Sequence, residues 1–180
     1  MSDWFEPLRA DYRHYRCGSF YNLGEAAPAS SPGRLLKSLL DVDFRVVLLF
    51  RLSAALWRSG LRLPALLIHY RLKSRHHVEM HPSLQVGPGL RLVHGFCIVI
   101  GSETQIGRDV VIFGQTFLGK SRPDLPGSRM PRIGDHVLLG AGCKILGDVE
   151  IPPHTLVAAN AVVTRSALRS NPGLLTPIDA

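Results

Sequence analysis

IGDHVLLGAGCKILGDVEIPPHTLVAANAVV, residues 133–163, carries an aliphatic side chain at every sixth position: Ile133, Leu139, Ile145, Ile151, Val157 and Val163. A period of six fits neither the 3.6-residue helix nor the two-residue alternation of a long strand. It fits a solenoid of short strands and tight corners, with three hexads to a turn. The aliphatic side chains then point inward and stack from turn to turn, each turn bonding only to its neighbours. Two positions before each next aliphatic stand small or β-branched residues (Val137, Cys143, Val149, Thr155, Ala161), which suit a narrowing tube.

Working outward, the same phase recurs at Val86, Leu92 and Ile98, and at Ile106, Ile112 and Leu118. Glycine often follows directly, as at Gly87, Gly107, Gly119, Gly134 and Gly140. Two breaks interrupt it. Ile98 to Ile106 is eight residues, two too many, and Leu118 to Ile133 is fifteen. The second break holds KSRPDLPGSRMPR (120–132), so a loop over 119–132 is expected to project from the coil. Projecting loops on rigid scaffolds carry function, and Lys120, Arg122, Arg129 and Arg132 favour contact with an anion.

Ahead of the coil the period changes. Phe44, Val47, Leu48, Leu52, Ala55 and Leu56 follow the i, i+3, i+4 rule, so Asp41–Lys73 reads as helix, ended at Ser59-Gly60 and restarted near Pro64. Core or interface packing explains the stripe; an amphipathic helix on a membrane surface is the alternative. Residues 1–33 look loosely organised, and Gly24–Gly33 reads as a linker. The expected division is an N-terminal region over 1–77, helical from about 35, a coil domain over 78–166, and a tail over 167–180.

The 180 residues include 21 Lys and Arg against 14 Asp and Glu, a net charge of +7. That surplus suits phosphate-bearing ligands, nucleic acid or an acidic membrane face. Few aromatics accompany the arginines and no nucleic-acid motif is present, so nucleic acid is not expected. Seventeen Gly and 13 Pro show no G-x-y period, which excludes collagen. Cys17, Cys97 and Cys143 form no Cys-x-x-Cys pair, and His76, His77 and His81 lack a ligand pattern, so neither disulfide framework nor metal is expected. Cys97 and Cys143 read as buried packing residues of the coil. The start, MSDWFEPLRADYR, shows no apolar run; a cytoplasmic protein is the default expectation.

Residues 78–165 resemble the serine acetyltransferase-like branch of the hexapeptide-repeat acyltransferases. The matching stretches are VEMHP (78–82), LVHG (92–95), IVIGSET (98–104), RMPRI (129–133) and LLGAGCKILGDVEI (138–151). FRLSAALWRSG (50–60) is similar to the end of that family's N-terminal helical domain, which looks shortened here. The resemblance implies a mainly β fold, a left-handed parallel β-helix preceded by short α-helices. It implies acetyl transfer from acetyl-CoA to a hydroxyl, in a homotrimer or dimer of trimers, with sites between neighbouring coils. It assigns His94 as general base and Glu79 as the acid that orients it. The CoA-binding set is Lys120, Ala141, Gly142, Ala159 and Arg165; the acceptor set is Val93, Arg129 and Met130.

That chemistry suits the residue types. An alcohol attacks a thioester only as its proton leaves, and a neutral imidazole, of unperturbed pKa about 6.5, typically contributes about 10²–10⁴-fold. A carboxylate on the other ring nitrogen fixes the tautomer and stabilises the imidazolium. The acceptor positions depart from the family. Val93 stands where it has an Asp that meets the serine ammonium, and Met130 where it has a His, while Arg129 is kept. These changes point to a non-serine acceptor, a sugar or polysaccharide precursor. Serine O-acetyltransferase activity and a non-catalytic β-helix scaffold are the alternatives, and peripheral membrane contact through residues 41–73 is compatible with each.

Overall fold

The computed structural model describes residues 6–16, 38–122, 124 and 126–178. The Gly24–Gly33 stretch read as a linker, and Cys17, lie outside them. Helix α1 (Glu6–Arg16) is followed by α2 (Val42–Arg58) and α3 (Arg62–His76). Asp41 caps α2, its carboxylate accepting the Phe44 N–H at 3.1 Å. Ser59 and Gly60 break the chain before α3, and Gly60 takes the left-handed conformation (φ 84°) that this tight reversal requires.

The chain then winds through three faces in turn. The first coil is β1 (Val78–Met80), β2 (Gln85–Val86) and β3 (Arg91–Val93); the second is β4 (Ile98–Ile100), β5 (Gln105–Ile106) and β6 (Val111–Phe113). The third is β7 (Phe117–Gly119), β8 (Arg132–Ile133) and β9 (Leu138–Leu139); the fourth is β10 (Lys144–Leu146), β11 (Glu150–Ile151) and β12 (Thr155–Val157). After β13 (Val162–Val163) come a short helix α4 (Arg165–Ser170) and β14 (Leu175–Pro177). The first sheet is β1-β4-β7-β10-β13, the second β2-β5-β8-β11 and the third β3-β6-β9-β12, all parallel, with β14 closing the third antiparallel. The fold is thus mainly β, preceded by helices.

The hexad residues fill the tube. Met80, Ile100, Leu118, Ile145 and Val163 align on the first sheet. Val86, Ile106, Ile133 and Ile151 align on the second, and Leu92, Ile112, Leu139 and Val157 on the third. All but half-buried Val86 are buried in one continuous core. This register corrects one reading of the period. Ile100, not Ile98, aligns with Leu118, so Ile100, Ile106, Ile112 and Leu118 run in strict sixes. The two surplus residues therefore belong to the corner between Leu92 and Ile100. Ile98 is buried because it and Ile100 share the inward side of β4. Cys143 packs inside as expected, but Cys97 is exposed, because it stands in that enlarged corner in a left-handed conformation (φ 52°).

The open end of the first coil is closed by polar side chains of the helices. Asp11 of α1 accepts the N–H groups of Gly89 (2.9 Å) and Leu90 (2.7 Å), and the His14 ring donates to the Gly89 carbonyl. The Tyr15 hydroxyl accepts from Leu92 N–H and donates to its carbonyl. Arg51 of α2 donates to the carbonyls of Val86 (2.8 Å) and Gly87 (2.6 Å), and pairs with buried Asp11 at 2.8 Å. His69 of α3 meets the Met80 carbonyl at 3.0 Å. A bare coil end presents unpaired backbone that water or another chain must satisfy. Removing one partner of the buried Arg51–Asp11 pair costs about 3–5 kcal/mol.

Candidate active site

The corner between the third and first sheets stacks one residue pair per coil: His94 and Cys97 in the first, Gly114-Gln115 in the second, Ala141-Gly142 in the third and Ala159-Asn160 in the fourth. Main-chain bonds join them: Gly114 N–H to Val93 O (3.0 Å), Gln115 N–H to Phe96 O (2.9 Å), Gly142 N–H to Gly114 O (3.0 Å) and Asn160 N–H to Ala141 O (2.8 Å). His94, Cys97, Gln115, Gly142 and Asn160 all take positive φ, between 51° and 73°, as a tight corner demands. The structure thus brings His94, Ala141, Gly142 and Ala159 onto one edge of the prism, with Val93 entering it from β3.

His94 projects because its corner holds two residues more than those above it. The exposed imidazole makes no hydrogen bond within the described residues, so its ring nitrogens are open to a ligand. Its backbone is fixed from outside the coil. Asp43, in the first turn of α2, accepts the N–H groups of His94 and Gly95, each at 2.9 Å. Sequence reading missed Asp43: it lies 51 positions from His94, and nothing in the helical pattern links the two.

Glu79 lies on the outer face of the first sheet, in a row with Val99, Phe117, Lys144 and Val162. Its carboxylate pairs with Lys73 Nζ at 2.9 Å, on solvent-exposed side chains, and no hydrogen bond joins it to His94. Lys73 is a second residue that the motif could not announce.

The remaining predicted residues occupy a different edge, between the first and second sheets. Loop 119–132 leaves there. Lys120 pairs with Glu103 at 3.3 Å, and Arg165 with Asp148 at 2.7 Å; Arg129 also approaches Asp148, at 3.9 Å. The Met130 side chain lies over Gly101, where a Cβ would collide with it. Within one chain, then, Lys120, Arg129, Met130 and Arg165 are not brought to the His94 edge. The first sheet's outer face lies between the two edges and leaves Phe117 and Val162 exposed, with Phe96 exposed at the His94 corner.

Two hollows lie elsewhere. One, of about 520 Å³, runs between α2 and the second sheet, lined by Trp57, Arg58, Gln85 and Gln105 among others. The other, of about 410 Å³, adjoins the loop edge and is rimmed by Arg132, Arg165 and Arg169.

A coil of hexads with a histidine in an enlarged corner and small residues stacked above it defines a class, and the comparisons agree. The family described as Bacterial transferase hexapeptide (six repeats) matches residues 130–165. Serine acetyltransferase of Helicobacter pylori (strain ATCC 700392 / 26695) is 34% identical over 125 residues, covering 69% of this chain and 72% of that protein. The chain belongs to the serine acetyltransferase family of hexapeptide-repeat proteins. Serine acetyltransferase 2 of Arabidopsis thaliana is 34% identical over 131 residues, 70% of this chain, which spans only 40% of the plant protein's length. The solved serine acetyltransferase of Brucella abortus strain S19, in complex with coenzyme A, superposes with a TM-score of 0.73 at 28% identity, covering 89% of this chain and 60% of that one.

These matches correct the expectation of a non-serine, sugar-type acceptor. These relatives and the solved neighbour are serine acetyltransferases. The departures at Val93 and Met130 concern two single positions, each worth at most about 1.5–3 kcal/mol where a charged bond is lost. They leave the corner, its stacked residues and Arg129 in place. The structure also sets a carboxylate, Asp43, against the backbone of that corner.

Proposed function

We propose that the protein is a serine O-acetyltransferase that uses acetyl-CoA, a left-handed β-helix assembled as a homotrimer. One observation carries the reading: His94 shares an edge with Ala141, Gly142 and Ala159, so a general base stands at the foot of a column of small residues against which an extended thioester can lie. His94 takes the hydroxyl proton of serine as its oxygen attacks the thioester carbon. The new C–O bond forms, the tetrahedral intermediate collapses, and the C–S bond breaks. The imidazolium returns the proton to the departing CoA thiolate, leaving O-acetylserine and the free thiol. Asp43 holds the corner so that the ring keeps its aim, and Arg129 meets the serine carboxylate.

The separation of the two edges supports an assembly in which neighbouring copies meet. Arg129, Lys120 and Arg165 reach a His94 edge when they come from a neighbouring copy, and exposed Phe117 and Val162, with half-buried Val99 in the same row, give the seam apolar surface.

Thiol release from acetyl-CoA, measured with L-serine, tests the activity. His94→Asn, which keeps a residue tolerant of positive φ, lowers turnover about 10²–10⁴-fold while the circular dichroism melt stays in place. Absence of serine-dependent release from the wild-type chain overturns the assignment. Mixing His94→Asn with Arg129→Ala protomers under exchange tests the shared seam: activity returns in mixed assemblies if each site draws on two copies, and does not if each chain is self-contained.

A further inference from the structure

Helix α3 is apolar on two opposite sides, and among the described residues only one of them is buried. Ala65 and Leu72 are buried against the rest of the protein, with Ile68 and His69 half-buried between them. On the far side Leu63, Leu66, Leu67 and Tyr70 fall at i, i+3, i+4 and i+7, a single stripe facing outward. Leu63 is 70% exposed, Leu67 62% and Tyr70 70%, and neighbouring Leu61 is 53% exposed.

The charges around this stripe decide what covers it. At 3.6 residues per turn, Arg62 lies along one margin, with Lys73, which pairs with Glu79, and Arg71 and Arg75 lie along the other. Residues 58–77 contain five Arg or Lys and no Asp or Glu. The Arg62 guanidinium sits over the Trp57 ring at 3.8 Å, fixing a cation beside an aromatic. An apolar band framed by long basic side chains suits a helix lying in an interface, with leucines in the acyl boundary and cations reaching the head groups. A second copy fits less well, because its matching face brings the same cations against these. No helix among the described residues is long and apolar enough to cross a membrane, so contact here is in-plane.

We propose that the outward face of α3 docks the protein on the surface of an anionic lipid bilayer. The inference is independent of the catalytic reading: it uses neither the coil edges nor the acceptor.

Sedimentation of the full chain with vesicles tests it, using phosphatidylcholine–phosphatidylglycerol mixtures against phosphatidylcholine alone. The wild-type chain pellets with the anionic vesicles, and added salt releases it. Arg71→Gln combined with Arg75→Gln weakens partitioning about fivefold for each charge removed. Leu63→Ser combined with Leu67→Ser, at exposed positions, abolishes it with an unchanged circular dichroism spectrum. Failure of the wild-type chain to pellet, or pelleting equal in both double variants, overturns the proposal. So does an oligomer that shrinks on light scattering in the Leu63→Ser, Leu67→Ser variant, since a second copy then covers the stripe. The arginine pair keeps the test decisive if the serine pair fails to fold.

Discussion

The carboxylate of Asp43 accepts the main-chain N–H of His94 at 2.9 Å and that of Gly95 at the same distance, bridging helix α2 to the corner that presents the imidazole. Two charge-assisted bonds to adjacent amides fix the plane of the backbone beneath the ring. Asp43→Asn keeps the shape but loses the charge and one acceptor. We expect kcat with L-serine to fall about ten- to hundredfold, with KM for acetyl-CoA unchanged. Equal losses in kcat/KM for both substrates, or a collapse of the thermal melt, would reduce Asp43 to a structural strut.

Gly114, one coil above, presses on the same corner. A Cβ there meets the His94 carbonyl oxygen directly and the Phe96 ring at 3.3 Å. Gly114→Ala therefore pushes the corner without touching any group that transfers a proton. Its expected signature is a kcat loss of at least about tenfold with a destabilisation of about 1–3 kcal/mol, read from turnover and chemical denaturation together. Normal turnover in a folded Gly114→Ala chain rules out the stacking as the device that places His94.

Glu79 has two candidate duties that separate by mutation. It pairs with Lys73 in the structure, while the resemblance makes it the orienting acid for His94. If orientation is its working role, Glu79→Gln lowers kcat and Lys73→Met does not. If the ion pair is the working arrangement, both variants lose alike. The pair is solvent-exposed, so Lys73→Met shifts stability by less than about 1 kcal/mol.

How much of this was readable beforehand differs from residue to residue. The hexads from Ile133 to Val163 revealed the tube because inward positions of a solenoid must be aliphatic wherever the chain returns to the same face. Counting alone placed the two surplus residues after Ile98, since both Ile98 and Ile100 satisfy an inward slot; only pairing with Leu118 shows that they swell the corner of His94. Cys97 was misjudged for the same reason. Asp43 acts across 51 positions and Lys73 across the junction from α3 to β1, and neither contact leaves a period in the sequence. The sugar-type acceptor does not hold because it rested on two positions, Val93 and Met130, against relatives that are serine acetyltransferases along the whole coil.

Acid should loosen the junction between α1 and the coil. Burial holds the His14 ring pKa below its ordinary 6.5, and its Nε2 is buried without a partner among the described residues. Above about pH 6.5 the ring is neutral in both folded and unfolded chains and leaves stability unchanged. Below it, the unfolded chain takes up a proton that the folded one resists, so stability falls as pH falls towards the lowered folded value. His76 and His81, also lowered by burial, act with the same sign. Asp11, raised by burial from 3.8, acts with the opposite sign as it protonates. Melting temperature against pH should decline on acidification, and His14→Gln should flatten the part beginning near 6.5; an unchanged slope removes His14 as a cause.

The rung that carries His94 is also the terminal rung. The second and third coils lie between copies of their own geometry, but the one holding His94 ends in Asp11, Tyr15, Arg51 and His69 instead of another strand. Stripped of that lid, it becomes a sticky template on which further chains lengthen the stack, so protection against fibre growth rests on a few helical side chains at the same coil that presents His94.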